Sequence, residues 1–248
     1  MSGPAPDSYD DDDALAQSLC LHHLADDGLD WPELPAAARR WPDRLVALGR
    51  ELLDDPRGCR VLDLGCGTGG VAFGFATLGA DALGIDASPR LIDAARRLAA
   101  GETQSCRLPI ESGRGEPRTI QPHAPPAAPG RVRFEVGDAL TFDVDRVGGP
   151  FDLVVAANLL CRISDPARLL TTLGDLVRPG GGLLLATPAS WLDRITPRDR
   201  HPGDTDRYVE MRLAPTFTRC FARDECLVVR QHARLAQLIR PRVTGWRR

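Results

Sequence analysis

The residues with the types and spacing to do chemistry gather around one glycine-rich stretch, Val61-Leu62-Asp63-Leu64-Gly65-Cys66-Gly67-Thr68-Gly69-Gly70. Glycines this close together after an apolar run let the backbone approach a ligand, with the positive end of a following helix above it. Asp63 precedes the first glycine by two positions, and Asp86 follows it by about 20 residues. Asp138, in Gly137-Asp138-Ala139, and Asn158, after Phe151–Ala157, each stand at the end of a later apolar run. Carboxylates and an amide in such places hold hydroxyls and amines by hydrogen bonds. All 31 basic residues are Arg, which excludes a Schiff-base lysine and a P-loop lysine. No His, Cys or carboxylate group has metal-ligand spacing, so no metal is expected.

An alternation of strands and helices must position these residues. Runs 59–64, 81–86, 151–157 and 181–187 are short and largely apolar, the pattern of buried parallel strands, and Arg131–Val136 is read as a further strand. Helices are expected over 69–78, from Ser88-Pro89 to the stop at Gly101, and from Asp165-Pro166 to Arg178-Pro179-Gly180. Two more precede the first strand, over 14–24 and 42–53. The sum is an α/β fold, a Rossmann-like, mostly parallel seven-stranded sheet with helices on both faces. Residues 1–13 read as a flexible acidic tail and 14–248 as one domain, with a Pro/Gly-rich loop inserted at about 101–130. Residues 190–225 read as irregular, and 217–246 as two antiparallel strands.

By spacing alone the glycines fit two templates. Gly65, Gly67 and Gly70 match the dinucleotide fingerprint with Asp86 as ribose ligand. Gly65, Gly67 and Gly69 resemble the loop of class I S-adenosylmethionine methyltransferases. Three features favour the second: Asp63, where dinucleotide folds carry an apolar or small residue; Gly137-Asp138-Ala139, similar to that family's adenine-contacting stretch; and residues 151–160 with 176–187, similar to its fourth and fifth strand motifs. The resemblance implies S-adenosylmethionine as cofactor. It places Asp63 near the amino-acid end, Gly65, Gly67 and Gly69 along the methionine and ribose, Asp86 on the ribose hydroxyls, Asp138 on the adenine amine and Asn158 beside the reacting end.

The flanks resemble a narrower family, the 5-thiohistidine (4-mercaptohistidine) N-methyltransferase domain of ovothiol biosynthesis. The similar residues are Tyr9, Asp10, Asp12, Ala14, Leu19 and His22; Arg107-Leu108-Pro109; Arg162; Trp191-Leu192; Thr196-Pro197-Arg198; and Arg230, Arg234, Gln237 and Trp246-Arg247-Arg248. This implies an amino-acid acceptor methylated on an imidazole nitrogen. Tyr9, His22 and Asn158 would orient the ring, Asp10 or Asp12 hold the ammonium, and Arg230 with Arg234, a turn apart if helical, hold the carboxylate. The chain departs from the family at Ser18 and Ala189, where Tyr is frequent, at Cys161 in place of Asp, and at Ala236 and Leu238 in place of aromatics. It carries no sulfoxide-synthase region, so it is expected to act as a separate enzyme. Two alternatives stay open: another small-molecule acceptor, and a non-catalytic cofactor-binding partner subunit.

A net charge of −3 gives no basic excess for nucleic acid or an anionic membrane, and no apolar run reaches a membrane span. Seven scattered cysteines without a CxxC pair, and an acidic N-terminus without an apolar core, read as a cytoplasmic protein. Oligomeric state is not encoded in any motif. Trp191 and Trp246 read as packing residues, and Cys66 as a small residue that fits its loop. His123, His201 and His232 have no metal spacing.

Overall fold

A computed structural model describes residues 11–111, 113–122 and 130–248. Tyr9, Asp10, His123 and most of the expected tail lie outside the described residues. The elements in chain order are α1 (Asp12–His23), α2 (Trp41–Arg50), β1 (Arg60–Leu64), α3 (Gly70–Thr77), β2 (Asp81–Asp86), α4 (Pro89–Ala99), β3 (Gln104–Glu111), β4 (Arg114–Ile120), β5 (Arg131–Val136), β6 (Phe151–Ala157), α5 (Pro166–Leu176), β7 (Val177–Thr187), α6 (Thr205–Leu213), β8 (Thr218–Asp224), β9 (Leu227–His232), β10 (Leu235–Ile239) and β11 (Arg242–Arg247).

Seven strands form one sheet in the order β5-β2-β1-β6-β7-β11-β8. The first five run parallel, and β11 enters antiparallel between β7 and β8. Both faces are covered, so the central strands are apolar on both sides rather than alternating. Leu153, Val155, Leu184 and Ala186 pack toward α2, α3 and α4. Val154, Ala156, Leu183 and Leu185 pack toward α5 and α6. The expected Rossmann-like sheet is therefore the observed one.

Several helix boundaries follow from local capping. Ser88 Oγ accepts from Leu91 N at 3.2 Å, and Pro89 opens α4. Asp165 Oδ1 accepts from Arg168 N at 3.0 Å to start α5. Asp11 does the same for α1, accepting from Ala14 N at 2.7 Å. The helix thus begins earlier than expected, and the end of the acidic run belongs to the domain. Asp12 and Asp13 lie in its first turn, where its dipole favours negative charge.

Four expectations are corrected. The 101–130 insertion contains a β3–β4 hairpin, with Leu108 packed on Ala16 and Cys20 of α1. Prolines at 109 and 117 are compatible with it because a two-stranded hairpin has outward edges where a missing N–H costs nothing. Segment 190–225 contains α6, capped by Asp204 and burying Val209 and Leu213. Residues 217–246 supply four strands, not two: β8 and β11 complete the main sheet, and β9–β10 form a separate hairpin. Arg230 lies in β9 and Arg234 beyond its end, so the two are not a helical turn apart.

Asp27 is a carboxyl side chain at 1% exposure with no ion pair among the described residues. Burial pushes its pKa from 3.8 up to about 7, only partly offset by the backbone of Arg40 and the Arg39 guanidinium. Between those values the folded chain keeps a proton that the unfolded chain releases. Its contribution is therefore intact below pH 3.8 and is lost as pH rises toward 7. Asp27→Asn is expected to raise Tm by several degrees at pH 8, at about 2–4 °C per kcal/mol for a chain this size. The gain should shrink toward zero at pH 4 in calorimetric melts; an equal gain at both pH values contradicts the assignment.

Candidate active site

The carboxyl ends of β1, β2, β5, β6 and β7 share one edge of the sheet, where open α/β folds bind ligands. The turn after β1 is built by tight backbone bonds: Gly65 N and Cys66 N both donate to Ile85 O, at 2.8 and 3.0 Å. Gly65, Gly67 and Gly69 take φ of 76°, 55° and 91°, which only glycine adopts freely. Gly67 also needs its missing side chain, since a Cβ there would lie 2.8 Å from Ser18 Oγ and 3.3 Å from His22 Cε1. A Cβ at Gly65 would meet Leu159 Cδ1 at 3.1 Å.

Asp86 ends β2 and locks onto this turn. Its Oδ2 accepts from Gly67 N and its Oδ1 from Ser88 N, each at 2.9 Å. Asp138, exposed beyond β5, accepts from Leu140 N through Oδ1 at 2.8 Å. It neighbours Asp86 because Gly137 N donates to Asp86 O at 2.9 Å.

Asp63 lies on the same face of the sheet as Asp86 but deeper, enclosed by the core. It is 3% exposed, and its Oδ2 accepts from Ala72 N at 3.2 Å in the first turn of α3. Burial pushes its pKa up to about 7, with the Ala72 N–H opposing and the like charge of Asp86 adding. Asp63 thus braces the helix that carries the glycine turn. Asn158 follows β6 at φ 57°, with its N–H on Ala186 O at 2.8 Å. Its Oδ1 is buried and makes no hydrogen bond. Cys66 is 1% exposed, and burial raises its thiol far above the reactive range.

Helix α1 lies over the turn. Thr68 N donates to Ser18 Oγ at 3.0 Å, Gly70 N donates to His22 Nδ1 at 3.0 Å, and His23 Nε2 meets Thr68 O at 2.9 Å. Burial pushes the His22 pKa down to about 4, so the ring is neutral near pH 7. With Nδ1 accepting, the proton of the neutral ring sits on Nε2. His22 therefore accepts from the glycine turn through Nδ1 and carries its proton on Nε2, which leaves it no free lone pair to act as a base. Ser18, Thr68 and His23 have no sequence motif; only the i, i+4 spacing of Ser18 and His22 hinted at a shared face.

The substrate-side expectations separate in space. Asp12 forms an ion pair with Arg90. Arg230 is 5% exposed and runs past Gly28 beside Cys20. Cys20 lies two residues from both Ser18 and His22 in α1, which turns it to the other side of the helix. Arg230 is thus behind α1, away from the glycine turn, and Arg234 is exposed. Trp246 is 1% exposed and donates to Thr244 Oγ1, whereas Trp191 donates to Thr205 Oγ1 on α6. Among the described residues no group of three His, Cys, Asp or Glu side chains could hold a metal ion, and no helix is long and apolar enough to cross a membrane.

A methyltransferase-domain family model matches residues 33–235. The chain belongs to that family of S-adenosylmethionine-dependent domains. Among curated relatives, a magnesium-protoporphyrin O-methyltransferase of Rhodobacter capsulatus is 37% identical over 165 residues, 62% of this chain and 59% of the relative. A ubiquinone biosynthesis O-methyltransferase of Xanthomonas axonopodis pv. citri is 28% identical over 185 residues, 69% of this chain and 65% of the relative. The chain thus spans less than two thirds of these relatives' length. The fold is shared with magnesium protoporphyrin IX methyltransferase of Synechocystis PCC 6803, solved with bound SAH, at TM-score 0.56, 17% identity and coverage of 84% and 82%. A methyltransferase of Mesorhizobium loti aligns at TM-score 0.53, 18% identity and coverage of 82% and 96%. The residues present fit the family's cofactor: a turn whose three glycines leave its backbone open, an aspartate at the end of β2 fastened to that turn, and a buried amide oxygen without a donor.

Proposed function

We propose that this chain methylates a small-molecule acceptor held beyond the ends of β6 and β7. The observation that carries this is the Asp86 carboxylate fastened to the glycine turn, with Asn158 across the same sheet edge. Bound S-adenosylmethionine supplies an activated methyl on a sulfonium. Asp86 would hold the ribose hydroxyls, Asp138 the adenine amine, and the turn at Gly65–Gly69 the space between. The remaining task is to place a nucleophile in line, and positioning contributes most of that rate.

The finer reading is transfer to a ring nitrogen of 5-thiohistidine. It rests on the likeness of the chain's two ends to the ovothiol family. It is supported by His22 Nε2–H as a donor and Asn158 Oδ1 as an acceptor, a pair suited to fixing an imidazole tautomer. Neither Arg230 with Arg234 as a joint clamp nor Asp12 as a free carboxylate is part of this reading. A second reading, an oxygen acceptor, is favoured by the O-methyltransferases among the relatives.

Incubation with methyl-deuterated S-adenosylmethionine and a panel of 5-thiohistidine, histidine, a catechol and an aromatic carboxylate separates these by mass spectrometry. Label on the imidazole of 5-thiohistidine, with slower labelling of histidine, is the expected result. Label only on oxygen overturns the finer reading and keeps the methyltransferase. Tight cofactor binding with no labelled product across a wider acceptor panel identifies a non-catalytic binding subunit.

A further inference from the structure

Two non-glycine residues at the acceptor edge hold left-handed backbone. Asn158, one residue past β6, has φ 57°, and Ala189, two past β7, has φ 53°. The strands pair in parallel with Ala157 opposite Ala186, so the two turns are neighbours. Left-handed Ala has no side-chain hydrogen bond of its own to stabilise it and persists only when its surroundings hold it. One restraint is local: Ala189 N donates to Thr187 Oγ1 at 3.1 Å. The other comes from across the edge. Arg162, four residues past Asn158, donates through one terminal nitrogen to Ser190 O and to Cys161 O (2.9 Å), and through the other to Ser190 Oγ at 3.0 Å. A single planar guanidinium therefore bridges the turn after β6 to the turn after β7.

The same β6 turn reaches the cofactor side. Arg162 N donates to Leu159 O at 2.7 Å, and the Leu159 side chain fills the space above Gly65. Gly65, Leu159, Arg162 and Ser190 form a continuous wall from the glycine turn to the loop after β7. We infer that Arg162 is a positioning residue for the acceptor: it fixes the distance between the β6 and β7 turns and holds Ala189 in its left-handed state, without touching the cofactor. This rests on the functional reading above. Lysine cannot replace it, because one ammonium lacks the fork that spans a carbonyl and a hydroxyl together.

The test uses the full chain and the acceptor identified by labelling. Arg162→Gln and Arg162→Lys are expected to lower kcat/KM for the acceptor by roughly ten- to a hundredfold, the effect of a misplacement of about 1 Å. Calorimetric affinity for S-adenosylmethionine should change by less than about twofold, far below the acceptor effect. Hydrogen exchange should rise in the peptide 187–192 and stay unchanged over 65–70. Ala189→Gly should restore part of the lost kcat/KM in the Arg162→Gln background, since glycine adopts this φ without the restraint. Unchanged kcat/KM, equal loss of cofactor affinity, or no rescue by Ala189→Gly overturns the proposal. If Arg162→Gln fails to fold, Arg162→Lys carries the same comparison. A wild-type chain that binds cofactor and methylates nothing overturns the functional reading instead. The bridge is then judged by exchange alone, and unchanged protection of 187–192 refutes it.

Discussion

Asp86→Ala is expected to weaken S-adenosylmethionine binding by about ten- to a hundredfold, from the roughly 1.5–3 kcal/mol of hydrogen bonds to a charged group. Two losses combine in this variant. The carboxylate would no longer accept from the ligand's hydroxyls, and Gly67 N and Ser88 N would lose their partner. Asp86→Asn separates the two. It keeps one acceptor oxygen but turns an N–H donor toward one of those two backbone donors. Its affinity should fall between wild type and alanine, with the glycine turn less protected from hydrogen exchange. Isothermal titration gives the affinities, and an alanine variant that binds as tightly as wild type sinks the assignment of Asp86.

Gly67→Ala should be comparably damaging for a different reason. The new Cβ would sit 2.8 Å from Ser18 Oγ and 3.3 Å from His22 Cε1, at φ 55°. The left-handed conformation alone costs about 1–2 kcal/mol for a residue with a Cβ. Relief of the clash requires α1 to lift, which breaks the bonds from Thr68 and Gly70 to Ser18 and His22. Tm should fall and cofactor affinity should drop by at least about tenfold, the equivalent of one lost charged hydrogen bond. Ser18→Ala introduced into the same chain should recover the part of the Tm loss due to the Ser18 contact, and neither the His22 contact nor the backbone part. Full recovery would mean that the turn tolerates the side chain and only the Ser18 contact opposes it. An unaltered affinity in the single variant would mean that the turn does not lie against the cofactor.

The parts of this protein legible in its sequence are those governed by neighbours along the chain. Strands β2 and β6 lie where their apolar runs do, because strands buried on both faces need continuous apolar sequence. Ser88-Pro89 and Asp165-Pro166 start their helices because capping involves only the first turn. The glycine turn and Asp86 pair because they stand at the carboxyl ends of adjacent parallel strands joined by the single helix α3, so one β-α-β unit sets their distance. Other local signals mark elements outside that alternation. Asp204 followed by Tyr208, Val209 and Leu213 is a capped apolar face, and the β3–β4 hairpin has a glycine at its turn.

What tertiary structure alone decided is the direction of side chains on elements that pack at long range. Ser18 and Cys20 differ by two positions in one helix; one lies on the glycine turn and the other beside Arg230, and no local rule says which face of α1 meets the sheet edge. Arg230 and Arg234 looked like a pair only under a helical geometry that β9 does not have. Asp12 is engaged by Arg90, and Asp63 by Ala72 beneath the turn rather than at its rim. The bridge from Arg162 to Ser190 spans 28 residues. Its existence depends on β6 and β7 pairing in register, a consequence of the whole sheet being assembled, and not of any motif in either segment.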